Sequence, residues 1–301
     1  MTRIPVGKTI AHAYRFVFAN IPAIVRAIGL PLLAQLVVIF LLTKRAALFM
    51  AAAQAHDPSA PSLVGPLLLL FLLTLIFFFA QFTAATQTAL GRPPQSWLSL
   101  PFGKPMWRLM GGFITALAAT AVVGLVLFLA LWLVAFGLDQ VVKVAPGSRQ
   151  IVAVLAGLMV AAFFCALLFV LLRFLFLLAP VSVAEEQLGV KRSWKLSAGN
   201  FWRIFLITLA IALPVTIVNY TYGYFMAGPL HIAPGASKET IEAAQMAWRI
   251  TQLNAMAERW YITLPLTALV MLFQLGAGCA AQVFAWRTLT EGEASAPVAA
   301  D

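Results

Sequence analysis

Apolar positions along this chain gather into six long runs separated by short basic connections. They lie near residues 23–43, 64–86, 109–137, 151–179, 203–225 and 261–285. An α-helix needs about 20 apolar residues to cross the ~30 Å hydrocarbon core of a bilayer. The pattern therefore predicts an all-α polytopic membrane protein, with six transmembrane helices in three hairpins. The third and fourth runs are longer than a straight crossing needs, so they are expected to tilt, kink or project beyond the bilayer.

Two flanking segments carry a helical period with polar faces. In residues 1–22, Ile10, Ala13, Tyr14, Val17 and Phe18 form one stripe, with Lys8 and Arg15 off it. This predicts a short amphipathic helix leading into the first span. In residues 238–260, Met246, Ile250, Leu253, Ala257 and Trp260 recur at three- and four-residue steps, opposite Glu242, Gln245, Arg249, Gln252 and Arg259. Ser237 is the expected N-cap, and Glu239 suits the positive end of the helix dipole. Such a helix either lies in the membrane interface, with Trp248 and Trp260 at headgroup level, or packs against the outer ends of the spans. The membrane domain is then 23–288, and residues 289–301 are expected to form a flexible tail.

Composition sharpens this picture. The chain of 301 residues is 62% hydrophobic and only 10% charged, where a soluble domain carries about 25% charged residues. The net charge of +10 sits at helix ends. That placement points to anionic lipid headgroups as partners rather than nucleic acid, for which no motif is present. The opening MTRIPVGKTIAHAYRFVFAN has no continuous apolar core before a small-residue cleavage site, so the first span is expected to act as an uncleaved anchor. With the N-terminus inside, the inner segments hold twelve Lys and Arg and the outer segments seven, leaving out Arg173. This excess predicts both termini in the cytoplasm, and the basic, aromatic collar suggests a bacterial inner membrane.

A lead-in pattern recurs before spans one, three and five. An aromatic residue (Tyr14, Trp97, Trp194) is followed by a turn former (Asn20, Gly103, Asn200) and then an arginine (Arg26, Arg108, Arg203). Asparagine is a favoured N-cap, proline fits a first helical turn, and arginine can reach phosphate while its stem stays in lipid. Any helix that enters the membrane collects such residues, so internal repetition and common chemistry both account for the pattern.

Glu185 and Glu186 follow the fourth span and precede Lys191, Arg192 and Lys195. Two readings stand for this cluster: an ion-paired interfacial group, or a headgroup site in which arginine forks grip phosphate. Arg173 is the one cation deep in a span, where charge is costly and marks either a structural lock or a ligand contact. The candidate headgroup contacts are Arg26, Arg108, Arg173, Glu185, Arg192, Trp194 and Arg203. Polar residues also form stripes: Gln274, Gly278 and Gln282 in the last span, Thr208, Thr216 and Asn219 in the fifth, Thr74 and Gln81 in the second. They are expected to face other helices. Cys165 and Cys279 lack metal or redox spacing and read as small apolar residues.

The string PVSVAEEQLGVKRSWKLSAGNFWRIF, residues 180–205, resembles the membrane domain found in some glycerophosphoryl diester phosphodiesterases and in related stand-alone bacterial membrane proteins. The matching positions are Pro180, Glu185 or Glu186, Gly189, Arg192, Ser193, Trp194, Leu196, Gly199, Phe201, Trp202 and Arg203. The six-span layout is also similar. In that family the phosphodiesterase activity belongs to a separate soluble barrel, and the three histidines here, His12, His56 and His231, form no cluster. The resemblance thus implies a membrane module without hydrolysis.

No nucleotide loop, catalytic triad, zinc signature or haem motif is present in the sequence. The expectation is a non-enzymatic integral membrane protein without a cofactor, either lipid-interacting or accessory to envelope proteins. The alternative is a small transporter or lipid flippase, drawn from the polar stripes, Pro214 and Arg173. The orientation predicts that a fluorescent protein fused after Asp301 lights up in the cytoplasm. It also predicts that a cysteine at Lys238 reacts with a membrane-impermeant maleimide added outside. The reverse labelling would overturn it.

Overall fold

A computed structural model describes residues 3–55, 57–58, 60–93, 101–144, 147, 149–230, 232, 235 and 237–294. Every regular element among them is helical. In chain order these are α1 (Val6–Ala19), α2 (Ile21–Gln54), a 3₁₀ turn (Ala60–Leu63), α3 (Val64–Ala89), α4 (Lys104–Val144), α5 (Arg149–Leu175), α6 (Leu178–Ala184), α7 (Val190–Leu196), α8 (Phe201–Ala227), α9 (Lys238–Glu258) and α10 (Trp260–Ala294). Among the described residues six helices are long and apolar enough to cross a membrane, at the six places the sequence pattern predicts. The protein is a polytopic membrane protein.

The expected excess length of the third span is present. α4 runs for 41 residues, about 60 Å at ~1.5 Å per residue. The fourth span covers Gln150–Ala184, as predicted, with one interruption near its end. α5 stops at Leu175, and α6 begins again at Leu178. Pro180 is the physical cause, since it has no N–H to offer the Phe176 carbonyl and its ring crowds that position. The expected flexible tail is also shortened, because α10 stays helical to Ala294. Residues 295–301, His56, His231 and Trp97 lie outside the described residues.

The chain divides into two compact units. One comprises Gly7–Met106 and Ile207–Ala281. Within it α2 packs on α3 and on α9. α1 buries Thr9, Ala13 and Val17, four residues apart, so the predicted stripe is right in kind but centred one position earlier, and Phe18 is exposed. Gln81 is buried on α3 and donates from its amide to the Gln35 side chain and to the Pro31 carbonyl of α2. That bond to the Pro31 carbonyl ties α3 to α2 within the apolar region. Thr74 instead bonds back to Leu70 on its own helix.

The other polar stripes hold only in part, with the side-chain oxygens of Thr208 and Gln282 buried and Gly278 half-buried. The buried face of α8 in this unit is Ile207, Ile211 and Val215, while Thr216 and Asn219 are exposed. On α10 the buried positions in this unit are Leu275, Gly276, Ala277, Cys279, Ala280 and Ala281, and Gln274 is exposed. Small and branched residues let helices approach closely, and that packing outweighs the few hydrogen bonds a polar face could make. Asn20 does not cap α2 with its side chain; its amide donates 2.9 Å back to the Phe16 carbonyl at the end of α1. Pro22 stands in the first turn of α2 as expected.

α9 is capped as predicted, with the Ser237 hydroxyl accepting from the Thr240 amide at 3.3 Å. It packs against the helices: Trp248 Nε1 donates 2.9 Å to the Gly228 carbonyl. Of the predicted stripe, Ala257 is buried and Ile250 and Leu253 are half-buried, while Met246 and Trp260 are exposed; Ile241, Ala244, Trp248, Gln252 and Ala255 widen the covered side.

The other unit comprises Met1–Val6, Trp107–Leu206 and Gln282–Asp301. The most apolar stretches of α4 and α5 contain no buried residue. Val122, Leu125, Phe128 and Leu133 stand exposed, as lipid-solvated side chains do. Packing tightens where α4 begins. A side chain at Gly112 would overlap the Leu188 carbonyl and sit 3.1 Å from Leu178 Cδ1, so only glycine lets that backbone approach. At Gly124 an added methyl would meet only the flexible Leu167 side chain, at 3.2 Å. Gly112→Ala is therefore expected to destabilise the protein by about 1–3 kcal/mol. Gly124→Ala should leave thermal unfolding in detergent nearly unchanged. Equal melting of the two variants would contradict this packing.

Candidate functional site

The site is built around the break that Pro180 imposes. Where α5 ends, its last carbonyls lose their intrahelical donors. Replacements come from Ser193 on α7 and from Ser197 at its C-cap, four residues apart and so on one side of the turn. Ser193 Oγ donates 2.8 Å to the Phe174 carbonyl and lies 3.3 Å from that of Arg173. Ser197 Oγ lies 3.1 Å from the Arg173 carbonyl and 3.0 Å from that of Trp194. Both serines are fully buried.

The favour is returned. The Arg173 side chain, in the last turn of α5, donates from Nη2 at 2.9 Å to the Trp194 carbonyl in the last turn of α7. Its guanidinium carbon lies 3.8 Å from the Trp194 ring centroid. Cations suit helix C-termini and aromatic faces alike. Phe174 and Phe169 hold that ring from other sides, at 4.7 and 6.4 Å. The geometry shows the structural lock for Arg173, and the same side chain also lines the adjoining pocket.

The α6–α7 turn is held by charge. Glu186 Oε2 accepts from Arg108 Nη1 at 3.0 Å. Glu185 Oε2 lies 3.4 Å from Arg192 Nε, and its other oxygen accepts from Trp286 Nε1 at 2.9 Å. Gln187 also donates to Glu185 at 2.6 Å. Glu186 adopts φ +57° and Gly189 φ +75°. Left-handed backbone costs a side chain energy, and at Gly189 an added Cβ would also crowd Val181 and Ser182. The ion-paired reading of the Glu185–Glu186 cluster thus holds for this turn, and Arg108 and Arg192 are spent on carboxylates.

A different group of arginines converges beside it. An open pocket of about 520 Å³ is lined by Arg3, Arg173 and Arg203, with Phe169, Phe201 and Trp202 as its rings and Gly199 completing the wall. Asn200 positions two of these cations. Its buried Oδ1 accepts from the Ile4 amide at 3.1 Å and from Arg203 Nη1 at 3.2 Å. Ile4 is 1% exposed, which fixes Arg3 at the rim. Asn200 therefore joins the chain start to α8, a role the sequence pattern did not suggest. Among the described residues none of the three arginines pairs with a carboxylate. The pocket also opens at the first turn of α8, the positive end of that helix.

Of the sequence candidates, the structure brings Arg108, Arg173, Glu185, Arg192, Trp194 and Arg203 into this one unit, with only Arg173 and Arg203 in the pocket wall. Arg26 belongs to the other unit, near the start of α2. Sequence reasoning missed Arg3, because nothing in local spacing ties residue 3 to residue 200. No family model, curated protein or solved structure matches this chain.

The reciprocal capping predicts that Ser193→Ala, which strips the Phe174 carbonyl of its donor, lowers stability by about 1–3 kcal/mol. Thr115→Ala removes only an exposed bond within its own helix and should be nearly neutral. Thermal unfolding of the two purified variants checks this, and a neutral Ser193→Ala would contradict the capping role.

Proposed function

We propose that this chain is a non-enzymatic membrane protein that holds the headgroup of an anionic phospholipid in the Arg3–Arg173–Arg203 pocket. The supporting observation is the meeting of three arginines around one open pocket, none of them paired with a carboxylate among the described residues. Like charges gathered this way repel, and an anion relieves the repulsion. Arginine suits phosphate because its planar fork gives two parallel hydrogen bonds. A membrane source for the anion is favoured by the wall itself. Its remaining side chains are aromatic, Trp202 is 71% exposed, and the pocket lies where an apolar span begins. Tryptophan and arginine together are typical of headgroup depth. By the distribution of Lys and Arg this face is the cytoplasmic one, in a bacterial inner membrane.

The resemblance to the phosphodiesterase membrane domain stands as a proposal on residues 180–205. Those residues form the α6–α7 turn and one wall of the pocket. A headgroup-binding module fits that resemblance without asking for hydrolysis. The transport alternative has less to rest on, since α8 passes Pro214 unbroken and Arg173 is fastened to α7.

The test pairs Arg3→Gln with Arg203→Gln. Each removes a charge-assisted contact worth about 1.5–3 kcal/mol, and every 1.4 kcal/mol is tenfold in affinity. Native mass spectrometry of protein extracted in mild detergent should show bound anionic phospholipid on the parent. The double variant should carry at least about tenfold less, with its melting temperature little changed. Equal lipid retention by a folded double variant would refute the headgroup site.

A further inference from the structure

We infer that the pocket selects a phosphate monoester over a phosphodiester; the inference rests on the headgroup reading above. A phosphate joined through one ester carries about −1.5 to −2 charge at pH 7 and three terminal oxygens. A phosphodiester, with two of its oxygens esterified, carries one charge and two terminal oxygens. The wall offers three guanidiniums, Arg3 from the chain start, Arg173 from α5 and Arg203 from α8, and no carboxylate to offset them among the described residues. Nearby Glu185 and Glu186 are engaged by Arg192 and Arg108.

Part of each cation's donor capacity is already committed. Arg173 uses Nη2 on the Trp194 carbonyl and Nε on Ser197, and Arg203 uses Nη1 on Asn200. Donors left on both, together with the Arg3 fork, come from three separate chain segments. Such a set suits a terminal phosphate that presents oxygens in several directions. A diester phosphate, flanked by two substituents, leaves less of itself open. The volume of about 520 Å³ exceeds what phosphate alone fills, so the substituent on its single ester oxygen has room beside Phe169, Phe201 and Trp202. Those rings match an apolar or glycerol-borne substituent better than a polyhydroxylated one, because among the described lining residues the only polar side-chain group besides the arginines is the single indole N–H of Trp202.

The experiment loads purified protein in nanodiscs or mild detergent with phosphatidic acid (monoester) and phosphatidylglycerol (diester), matched in acyl chains, and measures both affinities. The expected result is at least about tenfold tighter binding of phosphatidic acid, lost in the Arg3→Gln/Arg203→Gln variant. Arg3→Lys, which keeps the charge and gives up the fork, should recover part of the affinity. Equal binding of the two lipids, both lost in the variant, overturns the monoester inference and leaves the headgroup site standing. Equal binding unaffected by the variant overturns both. Glycerol 3-phosphate and inorganic phosphate, added as competitors, separate the sources. Displacement only by phosphatidic acid assigns the monoester to a lipid. Displacement by glycerol 3-phosphate at similar concentration keeps the monoester and assigns it to a soluble ligand.

Discussion

Arg173 donates across the break after α5 to the Trp194 carbonyl, while Ser193 and Ser197 donate back to the carbonyls that α5 leaves open. This exchange of caps holds the site together within the unit that contains Trp107–Leu206. A helix that ends near the membrane leaves carbonyls that water cannot reliably satisfy. Pro180 forces such an end, and α7 is the element that resolves it. Once α7 is locked against α5, the turn that follows delivers Asn200, and Asn200 sets both Arg203 and the chain start. The pocket is thus a consequence of satisfying the backbone at a broken span. Its positive charge remains because the nearby carboxylates are used elsewhere, on Arg108 and Arg192.

That division of labour explains how a deeply placed arginine is tolerated. Arg173 meets a carbonyl, a hydroxyl and two aromatic faces, so its charge is solvated by protein on one side and faces the pocket on the other. The role is architectural first. An anion in the pocket would add a counter-charge to a group already held in place, so little ordering is required on binding.

Much of the architecture was legible in the sequence because it follows from one-dimensional signals. Six apolar runs, the Ser237 cap and the prolines of the first turns depend on residues close together in the chain. The errors came where tertiary packing decides. Asn20 and Asn200 look like N-caps, yet each bonds elsewhere because a better partner lies near. The stripes at Gln274 and Asn219 look like helix contacts, yet isoleucine, valine and alanine make the close faces. Pro180 could have signalled the break in the fourth span, since a proline near a helix end is a local cue. Arg3 could not have been placed this way, for its neighbour Ile4 meets Asn200 across 196 residues. The string 180–205 was singled out as a motif, and its residues do separate physical work: Pro180 breaks, Gly189 turns, Ser193 caps, Trp194 stacks and Arg203 faces the pocket.

On the proposed reading, the Arg3–Arg173–Arg203 pocket holds a phosphate group while Arg173 stays docked on Trp194. A high-resolution cryo-EM structure in nanodiscs rich in anionic phospholipid tests it most directly. A headgroup site would give density for a single phosphate within hydrogen-bond reach of Arg3 and Arg203, with the Arg173 guanidinium still over the Trp194 ring. A pocket without headgroup density, with lipid spread evenly around the helices, would contradict it.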